Sequence, residues 1–491
     1  MSPALRSSVL VGLVCTIAAC DSPAEPRMFA PGFNLDLRGS ASDTVFAPPQ
    51  PVSLRLLDSA RAPVVGAAVQ LSTRGTASVS ASADPTLLTY VAPITDAAGD
   101  ARFYIGRFAT AGAEWVIARV VVGGVTWSDS LEITSLPGRA TDVVMPVDTA
   151  VYQGNTLQWR GTVVDAYGNA RPDAATYSAG SAGITIVGTT ITANAAPSRQ
   201  LVRATVGALR DSAWLSIVPR GVISVRKDDN PLVGEWVYAR MELDGSGFQT
   251  LVPHTSPAFL GLRSAHPAPW FAGGASLAFA IDAGISRVDL TGSITPLLTA
   301  PGGGRTMKCP QITPDGQMLY GHIDNGGAAP GTAWRWGVGA GGADSVRISP
   351  VAGSGGGVFD LCPSPAPDRR YVAMISNRGQ IDFFLHVVDT LTGTTTQLPQ
   401  RGFPSVRWSP NGSGLLVSAW NGQLFVVSSN GTGYRTLGDT PNYTSWASFS
   451  PDAAWIAVER NGPVIDLINV QTGLVLPLGF TGYMRMPEWR R

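Results

Sequence analysis

The sequence predicts an all-β chain: two β-sandwiches followed by a six-bladed β-propeller. Three observations carry this reading. No stretch keeps a helical period of apolar residues, whereas short β-branched runs and alternation recur, as in Ala118–Val122 and Gly414–Ser418. Glycine (56) and proline (37) are abundant and charged residues are only 14% of the chain, a mix that suits short strands and tight turns rather than long solvated helices. From residue 221 onward a unit of about 40 residues repeats, each copy holding four short apolar segments, which is the pattern of a propeller blade.

Composition also bounds function. Hydrophobic residues make up 44% of the 491, enough for sizeable cores. Lys+Arg and Asp+Glu balance at 35 each and form no basic run. Nucleic-acid binding, and adhesion to an anionic membrane through a basic patch, both lack their electrostatic footprint.

Residues 1–19 read as a targeting segment: Arg6 gives a short basic start, and an apolar stretch runs from Val9. That stretch is too short to span a bilayer. Ile17-Ala18-Ala19-Cys20 resembles the lipobox of bacterial lipoproteins, and this implies that the Cys20 thiol is acylated and becomes the new N-terminus. Residues 20–30, with the polar Asp21-Ser-Pro-Ala-Glu-Pro26, would then be a tether between lipid and fold. An ordinary secretory signal with an incidental cysteine is the alternative.

The first sandwich is expected over residues 31–137. Val52–Leu57 alternates, Asp58–Pro63 turns, Val64–Leu71 returns, and Thr95-Asp-Ala-Ala-Gly-Asp-Ala101 leads into another alternating strand. A second, shorter copy is expected over 138–220. There Thr162-Val-Val-Asp-Ala-Tyr-Gly-Asn169 repeats the strand-then-turn, with Gly168 placed for a positive φ. Asp58 with Val64-Val-Gly-Ala67, and Thr95, Asp96, Gly99 and Ala101, resemble the two hallmark motifs of bacterial immunoglobulin-like domains of the invasin and intimin type. The resemblance covers roughly 90 residues.

The propeller is expected over 221–491. Aligning the residue before each turn gives Trp270, Ile312, Pro365, Trp408, Phe449 and Trp489, spaced by 42, 53, 43, 41 and 40 residues. Residues 221–253 hold only three strands, and Met486–Arg491 is a first strand with nothing after it. The two ends therefore complete one blade and close the ring, which removes exposed sheet edges. Trp408-Ser-Pro-Asn-Gly412, Thr313-Pro-Asp-Gly316, Ser450-Pro-Asp452 and Pro487-Glu-Trp489 resemble the repeat of the TolB family of WD40-like propellers. The Trp270-Phe-Ala-Gly-Gly copy lacks the Pro-Asp, and that family carries an α/β domain where this chain carries sandwiches. The resemblance therefore implies fold and not role.

Candidate chemistry is sparse. Asp315, Asp368 and Asp452 lie where tight turns need an aspartate to bond its own backbone. His254, His266, His322 and His386 show no metal-ligand spacing, and no Cys-x-x-Cys is present, so neither a metal nor a cofactor is expected. No nucleophile elbow or phosphate loop is found, and no catalytic residue is assigned. Cys309 and Cys362 occupy equivalent places in successive first strands, each followed by proline. First strands converge on the propeller axis, so the pair is either a disulfide or two buried thiols. Trp334 and Trp336, after an insertion near Asn325–Gly331, and Trp420 beside Asn421-Gly422 serve either inter-blade packing or stacking on a sugar or peptide.

These readings lead to a monomeric, lipid-anchored, non-catalytic binding protein of the cell envelope, with a protein or glycan held on the propeller. The competing expectations are a surface adhesin that binds through its sandwiches and a propeller enzyme of the polysaccharide lyase or hydrolase type.

Overall fold

The computed structural model describes residues 34–490 except 85–91, 107, 231–234, 254–265, 282–283, 325–330, 340, 350–358, 378–381, 402–404, 420, 439–442, 462–463 and 481–482. Among the described residues every regular element is a strand apart from a single 3-10 turn at Ala272–Gly274, so the all-β class holds. Contacts divide the chain into two units. The first contains the residues up to Val144 with Gly161–Ala175 and Thr205–Arg210; the second contains Met145–Arg160, Thr176–Ala204 and the residues from Asp211 onward. Residues 138–220 thus contribute to both.

In the first unit, Gln50–Leu57 buries Val52, Leu54 and Leu56 and exposes the residues between them, the period-2 pattern of a strand with one face on a core. It pairs with Asn34–Arg38 and with Asp100–Gly106, and Ser78–Ser80 completes the sheet. A second four-stranded sheet runs in the order Ser42–Thr44, Val125–Leu136, Gly112–Val122, Val69–Arg74. Both sheets feed one apolar cluster, with Leu54, Phe103 and Ile105 from one and Val116, Val120 and Ile133 from the other.

The strand expected at 64–71 starts later, at Val69. Gly66 takes φ +75°, a left-handed turn that no strand accommodates. Buried Thr95 braces this turn: its hydroxyl donates to the Val64 carbonyl at 2.7 Å and accepts from the Ala67 amide at 2.9 Å. The two motif fragments therefore meet in space. Asp165 does similar work in the later copy. It accepts from the amides of Gly138, Tyr167 and Asn169 at 2.8–2.9 Å, and Gly168 follows at φ +82°. Burial alone would raise this carboxyl, but the amide donors outweigh it and hold the group at about 2.

Among the described residues, the second unit contains, from Val222 onward, six successive antiparallel sheets that give the chain its propeller fold. The first consists of Val222–Asn230, Glu235–Glu242 and Gln249–Val252 with Tyr483–Trp489 on the inner side. The others are Ser276–Thr299, Thr306–Arg347, Asp360–Arg401, Ser405–Leu437 and Tyr443–Pro477, each laid down strand after strand. Each sheet packs on the next through its own apolar cluster. Tyr238 and Leu251 meet Leu277 and Phe279; Ala278 and Ile285 meet Met307 and Leu319; Tyr320 and Ala333 meet Val372 and Met374. Ala373 and Leu385 then meet Leu415 and Val417; Leu416 and Leu424 meet Ile456 and Val458; Ala457 and Leu467 meet Ile223 and Ala239 of the first sheet. The last contact returns to the beginning. First strands of neighbouring sheets also touch one another, and so line the inner edge of this cycle.

Part of the 138–220 region is fastened to these sheets. The Tyr152 hydroxyl lies 2.7 Å from Glu242 Oε2 and 2.9 Å from the Gly221 carbonyl, and accepts from the Leu243 amide at 3.0 Å. Ser216 Oγ donates to the Pro477 carbonyl at 2.6 Å.

Asp466, in the sixth sheet, is fully buried, with Oδ1 3.2 Å from Arg460 Nη2. Burial pushes its carboxyl up to about 6, while Arg460 and Arg199 pull it the other way. A carboxyl raised above its ordinary value of 3.8 favours the fold only while protonated. The advantage is complete below that value and is lost as the pH rises through about 6. Asp466→Asn, measured by denaturant unfolding, should therefore gain roughly 1–3 kcal/mol over the parent near pH 7.5 and close to nothing at about pH 4. An equal effect at both pH values contradicts this.

Candidate functional site

The two cysteines meet at the inner edge of the third and fourth sheets. In Thr306–Ile312 the pairing register jumps between Lys308 and Gln311, and in Asp360–Pro365 between Leu361 and Ser364. Each jump leaves a Cys-Pro pair outside the ladder, with Cys309 at φ +52° and Cys362 at φ +46°. A bulge of this kind re-aims side chains out of the regular alternation. The two are joined as a disulfide, with Cα atoms 5.0 Å apart, inside the roughly 7 Å limit, and both residues are buried.

Two histidines join them. His266 lies in the segment ahead of the second sheet, with Nδ1 3.6 Å from Cys309 Sγ. Its Nε2 is buried with no hydrogen-bond partner among the described residues, and its ring stands edge-on to Trp446 at 5.7 Å. His322, on the strand paired with Cys309's, accepts from the Cys362 amide through Nδ1 at 3.3 Å. One ligand-type atom from each of Cys309, His322 and Cys362 falls within 4.8 Å of the others. Burial pushes His266 down to about 3, with His322, Lys308 and Arg407 adding to the effect. Burial likewise pushes His322 down to about 4; Lys308 adds to it and Asp324 opposes. Both rings are therefore neutral near pH 7.

This differs from the expectation that no metal is held, which rested on the lack of any short spacing linking these histidines to another ligand. The available signal was a recurrence: His266-Pro267, Cys309-Pro310 and Cys362-Pro363 each set a His or Cys before proline, four, three and three residues ahead of Trp270, Ile312 and Pro365. His322 gave no signal of this kind. It arrives through strand pairing.

Of the other singled-out residues, Trp336 is 4% exposed inside the apolar cluster between the second and third sheets. Trp334 packs against the same cluster and donates from Nε1 to Thr332 Oγ1 at 2.8 Å. Both border a cavity of about 330 Å³ together with Arg305 and Met307. Asp315, Asp368 and Asp452 each accept from a backbone amide two residues on, as turn residues do. Cys20, His254, Trp420 and most of the 325–331 insertion lie outside the described residues.

A larger feature was not anticipated. A groove of about 770 Å³ runs between Pro146–Arg160 and the first and sixth sheets. Its lining is mainly apolar and includes Val147, Leu157, Phe248 and Phe480, with Arg160, Lys227 and Asp244 adding charge of both signs. Val147 is 68% exposed and Phe248 41%. Thr156–Gln158 borders it as the end strand of a three-stranded sheet.

No family model matches the chain, and neither does any curated protein. Among solved structures it is similar to TolB from Acinetobacter baumannii at 15% identity, covering 60% of this chain and 80% of that one, with a TM-score of 0.45. It is also similar to Kuenenia stuttgartiensis hydrazine synthase, at 14% identity, 47% and 70% coverage and a TM-score of 0.32. A chain of the mitotic checkpoint complex gives 14% identity, 45% and 67% coverage and a TM-score of 0.33.

Proposed function

We propose that this chain is a non-catalytic binding protein of the bacterial cell envelope, held to a membrane by lipid on Cys20. In this reading residues 31–137 and 138–220 are immunoglobulin-like sandwiches that act as spacers, and residues 221–491 are a six-bladed propeller. The bound partner is a protein that places an extended apolar segment in the groove beside Val147 and Phe248.

The groove carries the reading. Exposed apolar side chains in a concave site of this size are the usual mark of recognition, not of a monomer's bare surface. The end strand Thr156–Gln158 borders the groove through Leu157 and Gln158, which suits strand addition by a peptide. Apolar pockets around it would then select side chains.

The test is site-specific photo-crosslinking of the full chain in its native envelope, with the reactive residue at Val147, at Phe248 or at the remote, exposed Leu391. A single protein captured from the two groove positions and not from Leu391 is the expected outcome. Capture from Val65 in the first unit instead would favour an adhesin that binds through its sandwiches, and equal capture from Leu391 would remove the groove from consideration. A charge-introducing double change, Val147→Asp with Phe248→Asp, should weaken the captured complex about tenfold or more.

A further inference from the structure

The cluster at the inner edge is unrelated to the groove and has a chemistry of its own. We propose that Cys309, Cys362, His266 and His322 form a redox-gated zinc site, open to Zn²⁺ when the cysteines are thiols and closed when they are a disulfide.

Three observations support the assignment. Two sulfurs and two imidazoles are the ligand types and the number that a closed tetrahedral zinc site uses. The groups already converge: three offer ligand atoms within 4.8 Å of one another, and His266 Nδ1 is 3.6 Å from Cys309 Sγ. All four residues are 9% exposed or less, so water does not compete for the position.

Charge also balances. Two thiolates and one Zn²⁺ sum to zero, and two neutral imidazoles keep it there, so the loaded site buries no net charge. Two changes of geometry are required. The sulfurs must separate to roughly 3.8 Å, the spacing that tetrahedral angles and Zn–S bonds of about 2.3 Å impose. His322 Nδ1 must give up the 3.3 Å hydrogen bond from the Cys362 amide to turn its lone pair to the metal. Both cysteines sit in bulges outside the strand ladder, where such an adjustment breaks no inter-strand pairing.

Gating follows from electron count. Forming the disulfide removes two electrons and two protons from the two thiols, which an oxidant such as diamide accepts, and leaves no thiolate for a metal. Reduction by a phosphine restores both thiols. Zinc binding then releases their two protons and joins the segments of three successive repeats through one ion.

The experiment uses the full chain, stripped of metal, in two states: phosphine-reduced under anaerobic conditions and diamide-oxidised. Cobalt(II) serves as the optical probe and Zn²⁺ as the competitor. Expected for the reduced chain are one cobalt per chain with tetrahedral absorption and a thiolate-to-cobalt charge-transfer band, loss of both on adding Zn²⁺, and a higher thermal midpoint with Zn²⁺. The oxidised chain should show none of these. Cys309→Ser should abolish the charge-transfer signature of paired thiolates, and His266→Asn should weaken cobalt binding about tenfold or more. A reduced chain with both thiols titratable and no charge-transfer band overturns the proposal. So does cobalt binding of equal strength in the oxidised chain, or in the combined His266→Asn, His322→Asn chain, since the ion would then be held elsewhere.

Discussion

The pairing of Tyr483–Trp489 with Val222–Asn230 is the interaction on which the second unit depends. Five of its sheets are continuous in sequence; the first is assembled from strands about 250 residues apart. Without the C-terminal strand, Ile223 and Val225 of the first sheet lose the partner edge beside them, and the apolar cluster joining the first and sixth sheets loses Met484 and Trp489. A row of unpaired backbone groups at an inner strand is an invitation to wrong pairing, and closure removes it. Trp489 fits tightly against the entry to the first strand: a Cβ on Gly221 would sit 2.4 Å from its ring. Glycine at 221 therefore reads as a close-approach requirement rather than a turn requirement.

Closure also explains where chemistry collects. When first strands line an inner edge, side chains far apart in sequence become neighbours there. His266, Cys309, His322 and Cys362 are one such group. Arg226, Asp228, Glu459 and Arg485 are another: Asp228 lies 2.7 Å from Arg226 Nε and 3.1 Å from Arg485 Nε, and Arg485 is 3.7 Å from Glu459. Asp228 and Glu459 are buried carboxylates, so removing the arginines beside them is costly.

The strand repeat was legible in the chain because a blade is a local object. Its turn residues and alternation lie within about 40 residues. The convergence of Cys309 and Cys362 was legible for the same reason, since equivalent places in successive repeats must be adjacent. The start of the strand after Asp58 was misread because Gly66 sits inside an apolar run and interrupts it without a polar marker. The histidine partners were missed because His322 is brought in by cross-strand pairing, which no sequence interval encodes. The groove was invisible for a similar reason: Val147, Phe248 and Phe480 belong to segments that meet only after folding.

The pairing of Tyr483–Trp489 with Val222–Asn230 is tested most directly by removing the residues from Tyr483 onward. Thermal and denaturant unfolding, followed alongside hydrogen exchange, would compare this chain with the full one. The account predicts a large loss of stability in the second unit, fast exchange in Val222–Asn230 and Val464–Asn469, and an unchanged first sandwich core around Leu54 and Phe103. An unchanged unfolding midpoint, with Val222–Asn230 still protected, would contradict it.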